Sequence, residues 1–433
     1  MWPDHFRRRL REEAAKWRQE GLISEETWQV LVTRYGLERL TPPVLTFSAI
    51  LYGVGGILVG LAVMTFVAAN WPGLNKTTKL ILLLALLIGS NTGGFYLWQY
   101  TPNFRRLGQG ILLAAGLVLG AVIALVAQIF HLSGPVQDLF FFWSVGVLVV
   151  AISLRLLPLG VMGLILLGLG YMSYLVEGGV SATDWIGDGF PYISVLMLPL
   201  AYWLNSRVIF TMIVGLWVWS SWVVISGPLG LALPAVILWG YGDRFRLDDW
   251  GRKLCPTAQR MQPIARGISV FLVGFGLFIY AFRWSRDASG WDDARGSYLV
   301  VILLILAAYV ILYHLLYRRE PTTWGLLGTA LVFAMVSLAP SGTADLPFYV
   351  LMVNTLLLLY GLGLMYLGIG QQRRGLFWLG LVLLCLQVIS RMLEYETGLI
   401  PKAIGLGLCG LGLMGAGVGF ERYLASAARG ENP

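Results

Sequence analysis

Charge is what this sequence has least of. Charged residues make up 12% of the 433 positions, against roughly 25% in a soluble domain. A surface made mainly of solvated side chains is therefore excluded, and a polytopic membrane protein is the expected class. Histidine and cysteine are sparse as well, at 3 each. Cys255, Cys385 and Cys409 show neither paired nor metal-type spacing, and the last two sit in apolar runs. Buried thiols are expected there, not a disulfide framework or a zinc site. Also lacking are a Gly-x-x-x-x-Gly-Lys run, His-Glu-x-x-His, Gly-x-Ser-x-Gly and Cys-x-x-Cys. Their absence closes the common routes to an ATPase, metalloenzyme or hydrolase. No catalytic residue, metal or cofactor is expected, and the chain is expected not to be an enzyme.

What is there is apolar. Hydrophobic residues reach 57%, with 17 Trp, 19 Tyr and 20 Phe. On a criterion of roughly 20 residues per crossing, about 14 apolar segments are expected: 46–69, 78–98, 109–129, 139–154, 157–176, 190–204, 207–225, 228–241, 267–282, 298–317, 323–339, 347–369, 375–394 and 402–420. A secretory signal peptide is not expected, although Val67-Ala68-Ala69 imitates a cleavage site. The apolar run before it is about 20 residues long and follows a charged segment of roughly 40, too long and too late for a signal sequence.

The fold class expected is all-α, a polytopic transmembrane helix bundle behind a small N-terminal cytoplasmic hairpin. Three regions follow: the hairpin over 1–40, a first transmembrane region of about four spans over 41–155, and a remaining bundle of about ten spans over 156–425. In the hairpin, Phe6, Leu10, Ala14 and Trp17 recur at helical spacing and Gly21 stands where a helix C-cap belongs. Ser24 can cap a second helix, with Ile23 and Trp28 as a hydrophobic staple. The hairpin reads as a solvated cap over the inner helix ends or as a docking module for a protein partner.

Basic residues sort by loop. An inside N-terminus puts Arg105, Arg106, Arg155, Arg207, the basic loop Arg244 to Arg266, Arg318, Arg319, Arg373 and Arg374 on the cytoplasmic side of the membrane, with the C-terminus there too. The opposite loops Phe130 to Asp138, Glu177 to Gly189, Ser226 to Pro228 and Pro340 to Pro347 hold no Lys or Arg. Lys76, Lys79, Arg283, Arg286, Arg295 and Lys402 are exceptions. The formal charge of +8 is thus topological, and no nucleic-acid partner is expected. The partner expected is the lipid bilayer.

A family resemblance is carried by Trp17, Gly21-Leu22-Ile23-Ser24 and Tyr35-Gly36, then by Phe66-Val67-Ala68-Ala69-Asn70-Trp71, then by Gly120-Ala121 leading to Gln128-Ile129-Phe130-His131-Leu132-Ser133-Gly134 with Asp138 and Trp143. Over roughly its first 150 residues the chain resembles the bacterial predicted membrane protein family labelled domain of unknown function 2157. The resemblance implies a bacterial polytopic membrane protein, hence one of the inner membrane, and brings no activity, cofactor or catalytic residue.

Polar residues near the outer ends of the spans form the candidate site: Asn70, Gln128, His131, Asp138, Gln387, Arg391 and Glu394. Gln387, Arg391 and Glu394 fall at i, i+4 and i+7 and line one helical face. Ionisable groups inside a bilayer cost about 2.5–3.5 kcal/mol at its centre and default to a functional role with a named partner. Arg391 reads either as a site residue or as a structural ion pair or snorkelling chain end. His131 reads as a proton relay or as a structural turn residue. The preferred function is a transporter or permease for a small molecule, ion or lipid, with Pro199, Gly227-Pro228 and Pro234 marking interrupted helices. A non-catalytic scaffold or assembly factor is the alternative, drawing on the glycine-rich last span from Gly405 to Gly419. An outer-face lipid- or glycan-modifying enzyme is the second alternative, and oligomeric state is not legible.

Overall fold

Among the described residues, helices are the only regular elements. The computed structural model describes residues 20–35, 75–101, 104–177, 184–225, 227–244, 258–282, 298–317, 346–394 and 398–429, with scattered positions before 20, between 51 and 65, and at 328. In chain order the helices are α1 (Glu25–Tyr35), α2 (Lys76–Tyr100), α3 (Arg105–Ile129), α4 (Val136–Leu154), α5 (Leu157–Glu177), α6 (Asp184–Leu196), α7 (Leu198–Trp203), α8 (Arg207–Ile225), α9 (Leu229–Arg244), α10 (Ala258–Tyr280), α11 (Tyr298–Tyr317), α12 (Leu346–Gly370), α13 (Arg374–Glu394) and α14 (Leu399–Arg429). Nine helices among the described residues are long and apolar enough to cross a membrane, and three shorter apolar helices accompany them. The chain is a multi-pass helical membrane protein. The span expected over 323–339 lies outside the described residues apart from Gly328, and that over 46–69 is described only at scattered helical positions.

The chain divides into two compact units, Met1–Ser133 and Gly134–Pro433. In the first, Gly21 takes the left-handed backbone (φ +73°). Its N–H donates to the Arg18 carbonyl and that of Leu22 to the Trp17 carbonyl, the paired bonds of a Schellman cap. Ser24 then opens α1, its Oγ accepting from the Thr27 N–H at 3.2 Å. Both caps stand where the sequence places them. The α2–α3 pair is an antiparallel hairpin in which Gly94 lies against Leu112 and Gly108 against Trp98. A Cβ on Gly108 would run into the Trp98 backbone, so only glycine lets the helices approach this closely. Leu83, Val118, Val122 and Ile129 form the core of the pair.

The second unit is built from hairpins whose directions follow from their registers. Ser144 on α4 donates to the Gly163 carbonyl on α5 at 2.8 Å, and Gly170 meets Phe140 and Phe141, so α4 and α5 are antiparallel. Gly361 against Leu384 and Gly368 against Phe377 make α12 and α13 antiparallel. So are α10 and α12, through Tyr360 to the Val270 carbonyl at 2.8 Å and Asn354 to the Ala281 carbonyl at 3.3 Å. Gly160 beside Ile209 and Gly168 beside Leu216 set α5 and α8 parallel. α9 runs against α8, with Gly230 on Trp222 and Phe210 on Tyr241. It also runs against α10, where Ser269 donates to the Ala235 carbonyl at 2.6 Å.

α5, α8, α10 and α13 therefore start from one end of this unit. That end gathers Arg155, Arg207, Arg260, Arg266, Arg373 and Arg374. The other end carries the start of α4, the Gly227–Pro228 turn and the last turn of α13. Around α9, whose residues 229–236 are all buried, lies a continuous apolar core. On α4 the buried face holds Phe141, Ser144, Leu148 and Ala151, while Phe142, Val145, Val149 and Ile152 are exposed. Both faces are apolar, and the smaller residues select the packed one, as expected where lipid supplies no hydrophobic contrast.

Several boundaries differ from the sequence reading. The span expected over 190–204 begins at Asp184 and breaks at Met197 into α6 and α7. Pro199 has no N–H for the Val195 carbonyl, which ends α6 and suits the first turn of α7. The inner loop expected through Arg266 is already helical from Ala258. Met261 and Ala265 are fully buried on that stretch, so tertiary packing outweighs its polarity. α14 continues past 420 to Arg429. Cys385 on α13 and Cys409 on α14, expected to be buried, are half-buried free thiols near one another.

Replacing Gly108 by Ala should destabilise the α2–α3 hairpin by about 1–3 kcal/mol through overpacking. Gly89 has nothing within 4 Å of its Cβ position, and Gly89→Ala should be neutral or stabilising by about 0.5–1 kcal/mol. Thermal unfolding of the purified protein in one detergent checks the pair, and equal effects at both positions would contradict the close approach.

Candidate functional site

Each candidate residue takes its place from local backbone chemistry. His131 follows α3 with a left-handed backbone (φ +52°). Its N–H donates to the Gln128 carbonyl at 3.3 Å, and the Leu132 N–H to the Ala127 carbonyl at 2.9 Å. That is again a Schellman cap, with histidine where glycine is usual. Arg155, Asn205 and Gln372 occupy the left-handed position after α4, α7 and α12 in the same way. His131 therefore has a structural role through its backbone, and its side chain and that of Gln128 are exposed. Asp138 sits in the first turn of α4, where a carboxylate is favoured by the helix dipole. Asn70 lies outside the described residues. Gln128 and His131 belong to the first unit, and Asp138, Gln387, Arg391 and Glu394 to the second.

The three residues of α13 do share a face, and the second unit supplies partners that the sequence did not identify. α10 ends at Tyr280, and Ala281 is fully buried, so its carbonyl needs a donor. Asn354 on α12 provides one, its Nδ2 lying 3.3 Å from the Ala281 oxygen and 2.7 Å from that of Val350. Gln387 in turn donates to the Asn354 carbonyl at 2.7 Å. One turn on, the Arg391 guanidinium lies 5.3 Å from the centre of the Phe282 ring, a cation–π distance. Arg391 also forms an ion pair with Glu394, and the two side chains are only 20% and 12% exposed.

Glu394 is in the last turn of α13, where the helix dipole opposes a negative charge. Arg391 in the same turn is favoured by that dipole and compensates the carboxylate. The guanidinium carries five N–H donors, yet among the described residues its Nε, Nη1 and Nη2 are buried without a hydrogen bond of good geometry. The junction of α10, α12 and α13 therefore offers an acidic oxygen, a cation with donor capacity to spare, an aromatic face and two amides. Such a set can hold an anionic or zwitterionic group by charge-assisted hydrogen bonds. Among the described residues no group of three His, Cys, Asp or Glu is placed to hold a metal.

Asn354 and Phe282 are the partners missed. Asn354 is the one amide in the apolar run of α12, a polar group at membrane depth and thus a signal in itself. Phe282 had no such mark. A second recurring device also went unread: Arg155 stacks on Trp203 at 4.1 Å, Arg266 on Trp239 at 5.7 Å and, in the first unit, Arg105 on Trp98 at 5.9 Å.

Gln387 donates to the Asn354 backbone carbonyl, which Asn354→Leu retains, so Gln387→Leu should cost about 0.6–1.7 kcal/mol of thermal stability, the range for interhelical hydrogen bonds in membranes, in either background. Loss of that cost in the Asn354→Leu background would show that Gln387 depends on the Asn354 side chain instead. His131→Gly should keep or raise thermal stability, by about 0.5–1 kcal/mol, because glycine adopts the cap backbone without strain. A clear loss would show that the imidazole holds the turn.

No curated protein and no solved structure matches the chain. Residues 15–160 match the family described as predicted membrane protein (DUF2157), as their resemblance to it led one to expect.

Proposed function

We propose that the chain is a transporter-like or permease-like protein of the bacterial inner membrane that passes a small molecule, ion or lipid by way of Asn354, Gln387, Arg391 and Glu394. The observation that carries the reading is the Arg391–Glu394 pair, largely buried in an apolar bundle, whose guanidinium nitrogens have no hydrogen bond of good geometry among the described residues. Such a pair is expensive to keep unless a ligand or pathway uses it. The helix break at Met197, flanked by Pro191 and Pro199, supports the same reading, since interrupted helices mark binding regions in many carriers. In this reading the arginine-rich end of the second unit and both termini face the cytoplasm. The protein moves its solute without covalent chemistry.

A scaffold or assembly role is the second reading, favoured by α14. Among the described residues nothing lies within 4 Å of the Cβ positions of Gly407, Gly410, Gly412 and Gly415, and Leu408, Leu411 and Met414 beside them are exposed. Glycine on a lipid-facing surface invites another helix.

Metabolite and lipid profiles of a deletion strain, complemented with variants expressed at equal level, separate the two. Arg391→Lys keeps the charge and loses the planar fork. A lost charge-assisted hydrogen bond is about 1.5–3 kcal/mol, so the restoring flux should fall roughly tenfold or more, while a Gly407→Leu, Gly410→Leu variant restores the profile. The reverse pattern would reject transport through Arg391 in favour of the scaffold.

A further inference from the structure

At the arginine-rich end of the second unit, α9 and α10 enclose a second group of polar side chains, far in sequence from the Arg391 junction. Gly242 allows the approach: a Cβ there would lie 2.5 Å from the Arg266 side chain and 3.1 Å from the Gln262 carbonyl oxygen. Arg266 lies over Trp239, one turn before Gly242, and Gln262 is one turn before Arg266 on the same face of α10. Among the described residues, two donors at this contact are buried without a partner, the Trp239 indole Nε1 and the Gln262 amide Nε2. An indole N–H can only donate, and leaving a buried donor unsatisfied is unfavourable. Two unmet donors beside a guanidinium suit an acceptor oxygen that carries negative charge.

Position narrows the ligand further. Arg155, Arg260, Arg373 and Arg374 lie at this end of the same unit, which therefore attracts anions. From Asp243 to Arg266 the sequence holds Arg244, Arg246, Arg252, Lys253, Arg260 and Arg266 against Asp243, Asp248 and Asp249, an excess of positive charge. Basic crevices between transmembrane helices at the headgroup level take the phosphate of anionic lipids. We infer that the crevice between α9 and α10 binds a phosphate oxyanion, with Trp239 and Gln262 donating to its oxygens and Arg266 supplying the countercharge. A phospholipid headgroup and free phosphate share this chemistry, and the test below distinguishes them.

The full chain, purified in a neutral detergent, is titrated at constant ionic strength with phosphatidylglycerol, phosphatidylcholine or inorganic phosphate while its thermal unfolding is followed. Ligand that binds the folded state raises the midpoint saturably. Phosphatidylglycerol, inorganic phosphate or both should do so, and phosphatidylcholine should not. A response to phosphatidylglycerol alone assigns a lipid headgroup, and a response to inorganic phosphate assigns a free anion. Trp239→Phe keeps the ring under Arg266 and removes only the N–H. It and Gln262→Leu should each weaken the apparent affinity roughly tenfold, a loss of one charge-assisted hydrogen bond. Arg207→Gln, an exposed arginine at the same end, should leave it unchanged. The inference is overturned if neither anion stabilises the wild-type chain. It is equally overturned if Trp239→Phe and Gln262→Leu respond like wild type, or if Arg207→Gln weakens binding as much as they do.

Discussion

Inside a bilayer no water is present to satisfy a peptide group, so a buried carbonyl or N–H at a helix end must find its partner in the chain itself. The structure follows from that constraint. At the turns after α3, α4, α7 and α12 a left-handed residue folds the last carbonyls back onto the next two N–H groups. Where a carbonyl is buried beyond reach of such a turn, as at Ala281, a side-chain amide from another helix meets it. Helix pairs then close on glycine, because lipid gives apolar faces no reason to prefer each other and backbone proximity must substitute.

The same constraint explains why polar groups are few and grouped. Asn354 satisfies the end of α10 with its side chain and accepts from Gln387 with its backbone carbonyl, and Gln387 shares the α13 face of Arg391 and Glu394. A chain of this kind is built only if its last members are worth the desolvation they require. At the other end of the unit, arginines lie over tryptophans instead. An indole covers the apolar flank of a guanidinium and places both at the depth where headgroups begin. One end therefore holds an ion pair within the bundle and the other a group of arginines, two of them lying over indole rings.

Most of the helices were legible because a run of about 20 apolar residues has few alternatives to crossing a membrane. Gly21 and Ser24 were legible because cap chemistry is local. The face of Gln387, Arg391 and Glu394 was legible because helical spacing is enough to align it. The start of α10 was not, since Arg260, Gln262, Pro263 and Arg266 read as loop until Met261 and Ala265 are seen to be buried. The break at Met197 was half visible, in Pro199 but not in its position within the span. His131 was placed correctly in a turn, but its left-handed backbone cannot be told from a residue type that rarely adopts it. Partners contributed by other helices, Asn354, Phe282 and the nearby thiol of Cys409, depend on tertiary register, which no local pattern encodes.

The account rests on helices of the second unit crossing the membrane in alternate directions, with the arginine-rich end opposite the Arg391 junction. Single cysteines introduced at Gln372 and at Gly398, in a chain whose Cys255, Cys385 and Cys409 are replaced by Ser, test this directly. A membrane-impermeant maleimide should label position 398 in intact spheroplasts and position 372 only after the membrane is permeabilised. Labelling of both positions from the same side would contradict the account.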